Sequence, residues 1–174
     1  HFFVENQLDQ KNPHEEILPI ESVKVLNSHI IKGIELGRQS NLPEEVIDFI
    51  PMHHGTNIIT YFYQKAKNLY GEDNVNVNDY KYSGPIPNSK ETAIVMLADA
   101  CESAIRTVEN PDTEKVEAMI NYLIQSRIDD GQLDNAPLTF KEIKLIKESF
   151  ISILMGQRHK RIRYPNQDEL LKKD

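Results

Sequence analysis

The chain has 174 residues, of which 39% are hydrophobic and 27% are charged, values typical of one globular domain. Its formal net charge of −7 disfavours broad electrostatic binding, so a DNA or RNA polymer is not an expected partner. The single cysteine, Cys101, excludes a disulfide within the chain and fits a reducing compartment. No stretch approaches the roughly 20 apolar residues that span a bilayer, and the sequence starts without a signal-peptide pattern.

Helical periodicity dominates the first half of the chain, and strand signals are scarce. A polar segment with two prolines predicts a loop at residues 5–19. Apolar positions then predict helices at about residues 20–39, from about Pro43, and at about residues 57–70. Residues 71–88 are polar and turn-rich, and a connection of that length is often functional.

The second half predicts three helices from their capping patterns. Asn88 and Glu91 form a capping-box pattern that opens a helix at about residues 89–108. Two more helices follow, one that Asp112 caps and one that begins with the pattern Thr139-x-x-Glu142.

These patterns together predict an all-α protein with one domain of about six helices. The domain is expected to occupy residues 1–158, because the last helix pattern ends at about residue 158. Residues 159–174 are expected to form a tail that is first basic and then polar.

The most informative motif is a pair of adjacent histidines, His53 and His54, followed by glycine and threonine. Imidazole is the commonest protein metal ligand, and neighbours on a helix point about 100° apart, so the pair cannot share one packing face. His29 lies on an apolar helical segment, and Asp99 lies in an apolar run where an unpaired charge is costly. Alone, His29 fits a hydrogen-bonded core position better, and Asp99 fits an ion pair equally well. Together the four residues predict a divalent-metal site.

Several segments around these residues match one family pattern, over roughly the first 110 residues. They are Phe2-Phe3-Val4-Glu5-Asn6-Gln7, Asn12-Pro13-His14, Ser28-His29-Ile30-Ile31-Lys32-Gly33, His53-His54-Gly55-Thr56, Tyr61-Phe62-Tyr63, Ser83-Gly84-Pro85-Ile86-Pro87-Asn88-Ser89-Lys90-Glu91-Thr92-Ala93-Ile94 and Met96-Leu97-Ala98-Asp99 with Glu102. The chain thus resembles the HD-domain phosphohydrolases, which are all-α metal-dependent phosphatases and phosphodiesterases. Within them it is most similar to the cytoplasmic HD domain of bacterial seven-transmembrane HD proteins, which hydrolyse the messenger cyclic di-AMP.

The resemblance implies a metal-dependent phosphodiesterase that converts cyclic di-AMP to 5′-pApA. It implies two divalent cations, Mn or Fe, with His29, His53, His54 and Asp99 as metal ligands and with Asp99 and His54 as the catalytic residues. It also implies a cytoplasmic domain of a membrane-anchored protein, attached to the membrane only through parts outside this chain.

The chain departs from the family in one respect. The family's first metal-binding histidine, and the His-Asp dyad that names it, precede the Phe2–Gln7 segment, so the chain is expected to be N-terminally truncated relative to the family. The expected activity is that of a protein in which the dyad precedes this chain. Two alternatives stay open: another HD activity, on guanosine tetraphosphate or a deoxynucleotide, and a nucleotide sensor without catalysis. The sequence leaves the native metal, the regulatory signal and the oligomeric state undetermined.

Further residues are candidates for supporting roles. Glu102 lies one helical turn past Asp99 and is a candidate to orient a metal ligand, although a solvated charge fits equally well. Lys90, close to a helix N-terminus, is a candidate for a substrate phosphate, with a surface lysine as the alternative. Tyr61, Tyr63 and Tyr82 offer flat faces for adenine stacking, and at most one of the first two can line a pocket.

Overall fold

The computed structural model describes residues 12–108 and 112–158. In these ranges the chain is helical without a strand, which confirms the all-α prediction. The family-like segment before residue 12 and the predicted tail at 159–174 lie outside the described residues, and the domain limits stay predictions. The helices are α1 (Pro19–Gln39), α2 (Glu44–Ile47), α3 (Phe49–Met52), α4 (Thr60–Tyr70), α5 (Lys90–Arg106), α6 (Thr113–Asp129) and α7 (Phe140–Arg158).

Over the described residues the helix count agrees with the prediction, because the two single-turn helices α2 and α3 meet at Asp48 and together occupy the place of the helix predicted from about Pro43. The predicted loop over 5–19 is described only from residue 12 and contains a short 3-10 turn at Pro13–Glu15. The predicted connection at 71–88 contains two further 3-10 turns, at Glu72–Asn74 and Val77–Tyr80.

The start of α4 lies three residues later than predicted, at Thr60. Residues 57–59 are instead extended against residues 80–82, and Ile58 and Lys81 form an isolated antiparallel bridge. Two backbone hydrogen bonds hold this pairing, one from Ile59 N to the Tyr80 carbonyl at 2.7 Å and one from Tyr82 N to the Asn57 carbonyl at 3.0 Å. The predicted loop therefore returns to the start of α4.

The cap of α5 differs by one residue from the predicted one. Asn88 is not the cap; Ser89 is, because its hydroxyl accepts from Thr92 N at 3.1 Å while Thr92 Oγ1 accepts from Ser89 N at 3.2 Å. This reciprocal pair is a capping box that lies one residue later than the predicted box of Asn88 and Glu91. The caps predicted for α6 and α7 are confirmed: Asp112 Oδ1 accepts from Lys115 N, and Thr139 pairs with Glu142.

Two hydrophobic cores divide the described part of the chain. The α5–α7 core joins α5, α6 and α7, and its buried members are Ala93, Met96, Leu97, Cys101, Ile105, Val116, Ile120, Ile124, Leu133 and Ile146. The α1–α4 core joins α1, α4 and the returning loop, and its buried members are Val23, Ile59, Phe62, Ala66 and Tyr80. Helix α3 packs against both α1 and α5, so the two cores meet along α3.

Gly84 allows the loop before α5 to pass directly over α3. A Cβ at this position would lie 2.0 Å from the Pro51 carbonyl oxygen, a distance that no side chain tolerates. Glycine is therefore required where the loop crosses the helix that leads into the histidine pair. Among the described residues, no helix is both long enough and apolar enough to cross a membrane.

Candidate metal centre and substrate cavity

The three predicted histidines come from two parts of the backbone. His29 lies within α1, His53 is the C-cap residue of α3, and His54 follows in a turn. This turn needs glycine, because Gly55 has a φ of 52° and a Cβ there would lie 2.5 Å from Gln132 Oε1. The sequence His-His-Gly therefore ends a helix and reverses the chain at the site.

The structure brings the three imidazoles together. One ring nitrogen of each lies within 4.8 Å of the corresponding nitrogens of the other two. The ring centroid of His29 lies 5.4 Å from that of His53 and 5.2 Å from that of His54. A cation bound about 2.0–2.3 Å from each nitrogen needs nitrogen pairs within roughly twice that length. The spacing is close to this requirement.

Backbone carbonyls orient two of the rings. His53 Nδ1 lies 2.6 Å from the Ile50 carbonyl oxygen, and His29 Nδ1 makes the same contact with the Leu26 carbonyl. Because a carbonyl can only accept, Nδ1 carries the proton in each ring and Nε2 keeps its lone pair for a cation. Each helix thus supplies the orienting contact from one turn earlier in its own backbone.

The Glu102 carboxylate does not orient a histidine in this way, although it was a candidate to do so. It pairs with the Arg106 guanidinium one turn further along α5. Glu102 still lies close enough to Asp99 to raise the pKa of that carboxyl. Its contribution to the site in this structure is therefore electrostatic.

Asp99 lies beside the histidines on α5. Its Oδ2 is 3.6 Å from His54 Nδ1. Burial raises the pKa of the Asp99 carboxyl, while His53, His29 and Arg127 act in the opposite direction. The carboxylate thus faces three cationic or potentially cationic groups and one other acid.

The histidines are suited to bind a metal in their neutral form. Burial is the main cause that lowers the pKa of His54 to about 3, and the charges of His53, His29 and Arg127 act in the same direction. Burial also lowers the pKa of His29, against the effect of its hydrogen bond to Leu26. Neutral imidazoles and one carboxylate form a donor set that suits Mn, Fe or Zn. The residues present therefore fit a divalent cation.

A cavity of about 690 Å³ opens beside this cluster. His53 and His54 line one end, and α5 forms a wall with Asp99, Ser103 and Thr107, which follow each other at four-residue spacing. At 1.5 Å per residue, this wall is about 12 Å long. The volume and the mixed polar and apolar lining are typical of a small-ligand site.

Two of the three predicted tyrosines line the cavity. Tyr82 stacks on His54 with ring centroids 4.1 Å apart and an interplanar angle of 24°, and burial raises its pKa to about 12. Tyr61 also lines the cavity, and 65% of its surface is exposed. Tyr63 points away, because it packs against the α1–α4 core with its ring 5.8 Å from that of Tyr80.

Lys90 is not brought to the cavity. Its ammonium pairs with the Glu142 carboxylate of α7, at the opposite end of α5 from the Asp99–Thr107 wall. This pair joins the N-terminal ends of α5 and α7, so the contact that the structure shows for Lys90 is between helices.

Two residues at the site were missed from the sequence. Arg127 lines the cavity from α6. Gln132 is buried and binds the histidine turn: its Oε1 accepts from Thr56 N at 3.0 Å, and its Nε2 donates to Thr56 Oγ1 at 3.0 Å. Helical periodicity could have found Arg127, because it follows the core position Ile124 by three residues. Nothing local to Gln132 indicates its contact.

Comparison with known proteins gives individual relatives, although no model of a protein family matches the chain. The chain is 41% identical over 167 residues to the uncharacterized protein slr0104 of Synechocystis sp., covering 94% of this chain and 21% of that protein. It is 36% identical over 171 residues to the cyclic-di-AMP phosphodiesterase PgpH of Bacillus subtilis, covering 98% of this chain and 24% of that protein. The chain thus spans less than a quarter of the length of these relatives.

A solved structure agrees with the fold over most of its length. The crystal structure of the L. monocytogenes phosphodiesterase PgpH HD domain in complex with cyclic-di-AMP matches with a TM-score of 0.85 and 38% sequence identity. The match covers 90% of this chain and 72% of that one. Sequence and fold similarity therefore extend through both hydrophobic cores and the site between them.

Proposed function

Because the chain belongs to the family of PgpH HD domains, we propose that it is the part of its protein that hydrolyses cyclic di-AMP to 5′-pApA. The observation that carries this proposal is the cluster of His29, His53 and His54 beside Asp99, at the end of a cavity of about 690 Å³. The relative solved with cyclic-di-AMP shares 38% of its sequence with this chain, which supports the choice of substrate.

In this proposal the three histidines and Asp99 hold divalent cations, Mn or Fe. Bound there, the cations would lower the pKa of a water molecule and would offset the negative charge of the phosphate.

The protein residues fix the ligand geometry before substrate arrives. His29 and His53 are oriented by the Leu26 and Ile50 carbonyls, so neither ring has to reorient on binding a cation. Asp99 supplies a negative charge beside His54 and adds an oxygen ligand to the nitrogen ligands of the three histidines.

Tyr82 and Tyr61 provide faces on which adenine can stack, at about 1–3 kcal/mol per base. Tyr82 is held in place by its stacking on His54 and by its backbone bond to Asn57. A base on Tyr82 would therefore lie next to the histidine cluster, with the attached phosphate within reach of it.

The reaction adds water across one of the two phosphodiester links. A bond forms between the water oxygen and phosphorus, and the bond from phosphorus to a ribose 3′-oxygen breaks. That oxygen leaves with a proton as the 3′-hydroxyl, so the product is the linear dinucleotide 5′-pApA. We further infer that this occurs at the cytoplasmic face of a membrane, to which other parts of the protein attach the domain.

The test uses the complete protein that contains this chain, purified with Mn²⁺. We expect conversion of cyclic di-AMP to 5′-pApA, with a lower kcat/KM for cyclic di-GMP because guanine presents a different donor and acceptor pattern. Removal of the metal with a chelator should stop the reaction, and added Mn²⁺ should restore it.

Each alternative gives a different result. Equal kcat/KM values for the two cyclic dinucleotides would contradict the proposed substrate, and turnover of guanosine tetraphosphate alone would indicate another HD activity. Tight binding of cyclic di-AMP without hydrolysis would indicate a sensor.

A further inference from the structure

Arg127 is a half-buried arginine whose side chain has no hydrogen-bond or ion-pair partner among the described residues. Its Nε is fully enclosed and has no hydrogen-bond partner within residues 12–108 and 112–158. No carboxylate of these residues lies within the 4.0 Å of an ion pair with its guanidinium. An arginine stays charged at any physiological pH, and a buried charged donor without a partner costs more than an ordinary lost hydrogen bond.

The acids around Arg127 are too distant to satisfy it. Asp130, Asp99 and Tyr122 influence Arg127 only through space, and the Cys101 thiol is neutral because burial raises its pKa to about 11. Burial is the largest effect on the Arg127 guanidinium and lowers its pKa. The surroundings therefore offer Arg127 charge compensation at a distance and no direct contact.

The direction that remains open to Arg127 is the cavity. Arg127 lines the same cavity as His53, His54 and Asp99, and its charge acts to lower the pKa of both His54 and Asp99. A guanidinium presents several donors in a plane and matches the oxygens of a phosphate. The Arg127 guanidinium and the cations held by the histidine cluster would thus face the same phosphate.

We propose that Arg127 binds a non-bridging oxygen of the phosphate that lies against the histidine cluster. This inference rests on the proposed function for the identity of the substrate. The contact strengthens as the phosphorus gains a fifth oxygen, because negative charge then accumulates on the non-bridging oxygens. Arg127 is therefore a phosphate-binding residue that contributes to turnover as well as to affinity.

The test compares two ligands that differ only in a phosphate, AMP and adenosine, on the complete protein saturated with Mn²⁺. Arg127→Gln should lower the affinity for AMP about 10- to 100-fold, which is the expected effect of losing a hydrogen bond to a charged group. The affinity for adenosine should change by no more than about twofold. Arg127→Lys, which keeps the charge, should recover part of the AMP affinity. Calorimetric titration measures both ligands.

The control is Arg106→Gln, because Arg106 is exposed on α5 and pairs with Glu102. It should leave the ratio of AMP to adenosine affinity unchanged. Metal content and melting temperature are measured on every variant, so that loss of cations or of folding is seen separately. If Arg127→Gln does not fold, Arg127→Lys decides the question, because it should still show a smaller loss of affinity for AMP with no loss for adenosine.

Equal weakening of AMP and adenosine by the Arg127 variants, or no weakening of either, would overturn the proposal and leave Arg127 a structural residue. The outcome is independent of the proposed function: a wild-type protein that fails to hydrolyse cyclic di-AMP contradicts that function, whereas the AMP to adenosine ratio still decides the role of Arg127.

Discussion

The two hydrophobic cores are built from different residues and carry different parts of the site. The α5–α7 core has no aromatic ring among its buried members, and its helices α5, α6 and α7 have 17 to 19 residues each. The α1–α4 core has half as many buried members and includes two aromatic rings, Phe62 and Tyr80. Its helix α1 carries His29 and contacts α3, which leads into His53 and His54, whereas the α5–α7 core includes the helices that carry Asp99 and Arg127.

This difference suggests separate duties for the two regions. Apolar packing fixes the long helices of the α5–α7 core and gives the cavity a rigid wall. The histidine side depends on single polar contacts, such as Asn27 with the Lys81 carbonyl at 3.2 Å and Gln132 with Thr56. Changes in the first region should therefore affect stability most, and changes in the second should affect metal and substrate binding.

The largest effect is expected from Asp99→Asn. Hydrolysis should fall by orders of magnitude, because a neutral amide is a poorer ligand for a hard cation and no longer offsets its charge. The melting temperature should change little, since Asp99 is 43% exposed and has no ion pair shorter than 3.6 Å among the described residues. Activity, metal content and melting are measured on the same sample.

Asp73→Asn is the matched control, because Asp73 is an exposed carboxylate in the turn Glu72–Asn74 and does not line the cavity. It should behave as the wild type. An Asp99→Asn protein that melts far lower yet keeps full metal occupancy and activity would show that Asp99 has a structural role.

Ile120→Ala probes the α5–α7 core and should lower the free energy of unfolding by about 2–5 kcal/mol. Ile120 is fully buried, so the change removes apolar contacts and leaves a cavity. Urea unfolding measures the loss, and the folded fraction should bind Mn²⁺ as tightly as the wild type. The exposed residue Leu145 on α7 provides the control, since Leu145→Ala should cost no more than about 0.5 kcal/mol. A loss of metal affinity in Ile120→Ala would contradict the separation between a region that determines stability and a region that determines metal binding.

Gln132→Ala cuts the contact between the loop after α6 and the histidine turn. Leaving Thr56 N without its acceptor should cost about 1–3 kcal/mol of stability. Mn²⁺ affinity should fall as well, because the turn after His54 loses its fixed position. Gln125→Ala is the control, since Gln125 is exposed and bonds only Asp129 within α6. Unchanged metal affinity in Gln132→Ala would show that Gln132 does not position the turn after His54 for metal binding.

The smallest expected effect is the contribution of the Lys90–Glu142 pair to the change of stability with pH in acid. The Lys90 ammonium and Thr139 lower the pKa of Glu142 to about 2, below its ordinary value of 4.5. A lowered pKa means that this contribution to stability is complete above about pH 4.5 and is lost as the pH falls toward 2. The stability of the wild type should therefore fall more steeply over this window than that of Glu142→Gln. Identical slopes would show that the pair contributes nothing.

The helices could be predicted because their signals are local. Caps such as Asp112 and Thr139–Glu142 and the spacing of apolar residues fix where α6 and α7 begin, and both were predicted within a residue. The cap of α5 was displaced by one residue because Asn88 and Ser89 both fit the pattern. The hydroxyl pair between Ser89 and Thr92 decides between them.

The four proposed metal ligands could be predicted because their residue types are informative on their own. Adjacent histidines, a third histidine on an apolar helix and an aspartate in an apolar run indicated His29, His53, His54 and Asp99, and the structure brings them together from three helices and a turn. The position of Tyr82 depends on a pairing between residues 57–59 and 80–82, which no local pattern encodes. Helical periodicity from Ile124 could have placed Arg127 near the α5–α7 core, whereas the contact of Gln132 with Thr56 joins residues 76 apart and could be seen only in three dimensions.

The central claim is that the histidines of one region and Asp99 of the other hold the same metal centre. Anomalous diffraction at the manganese edge, on crystals of the HD domain grown with Mn²⁺, tests it most directly. We predict a peak about 2.0–2.3 Å from a ring nitrogen of each of His29, His53 and His54, with an Asp99 oxygen bound at the same centre. Full Mn²⁺ binding with no peak at these residues would contradict the account.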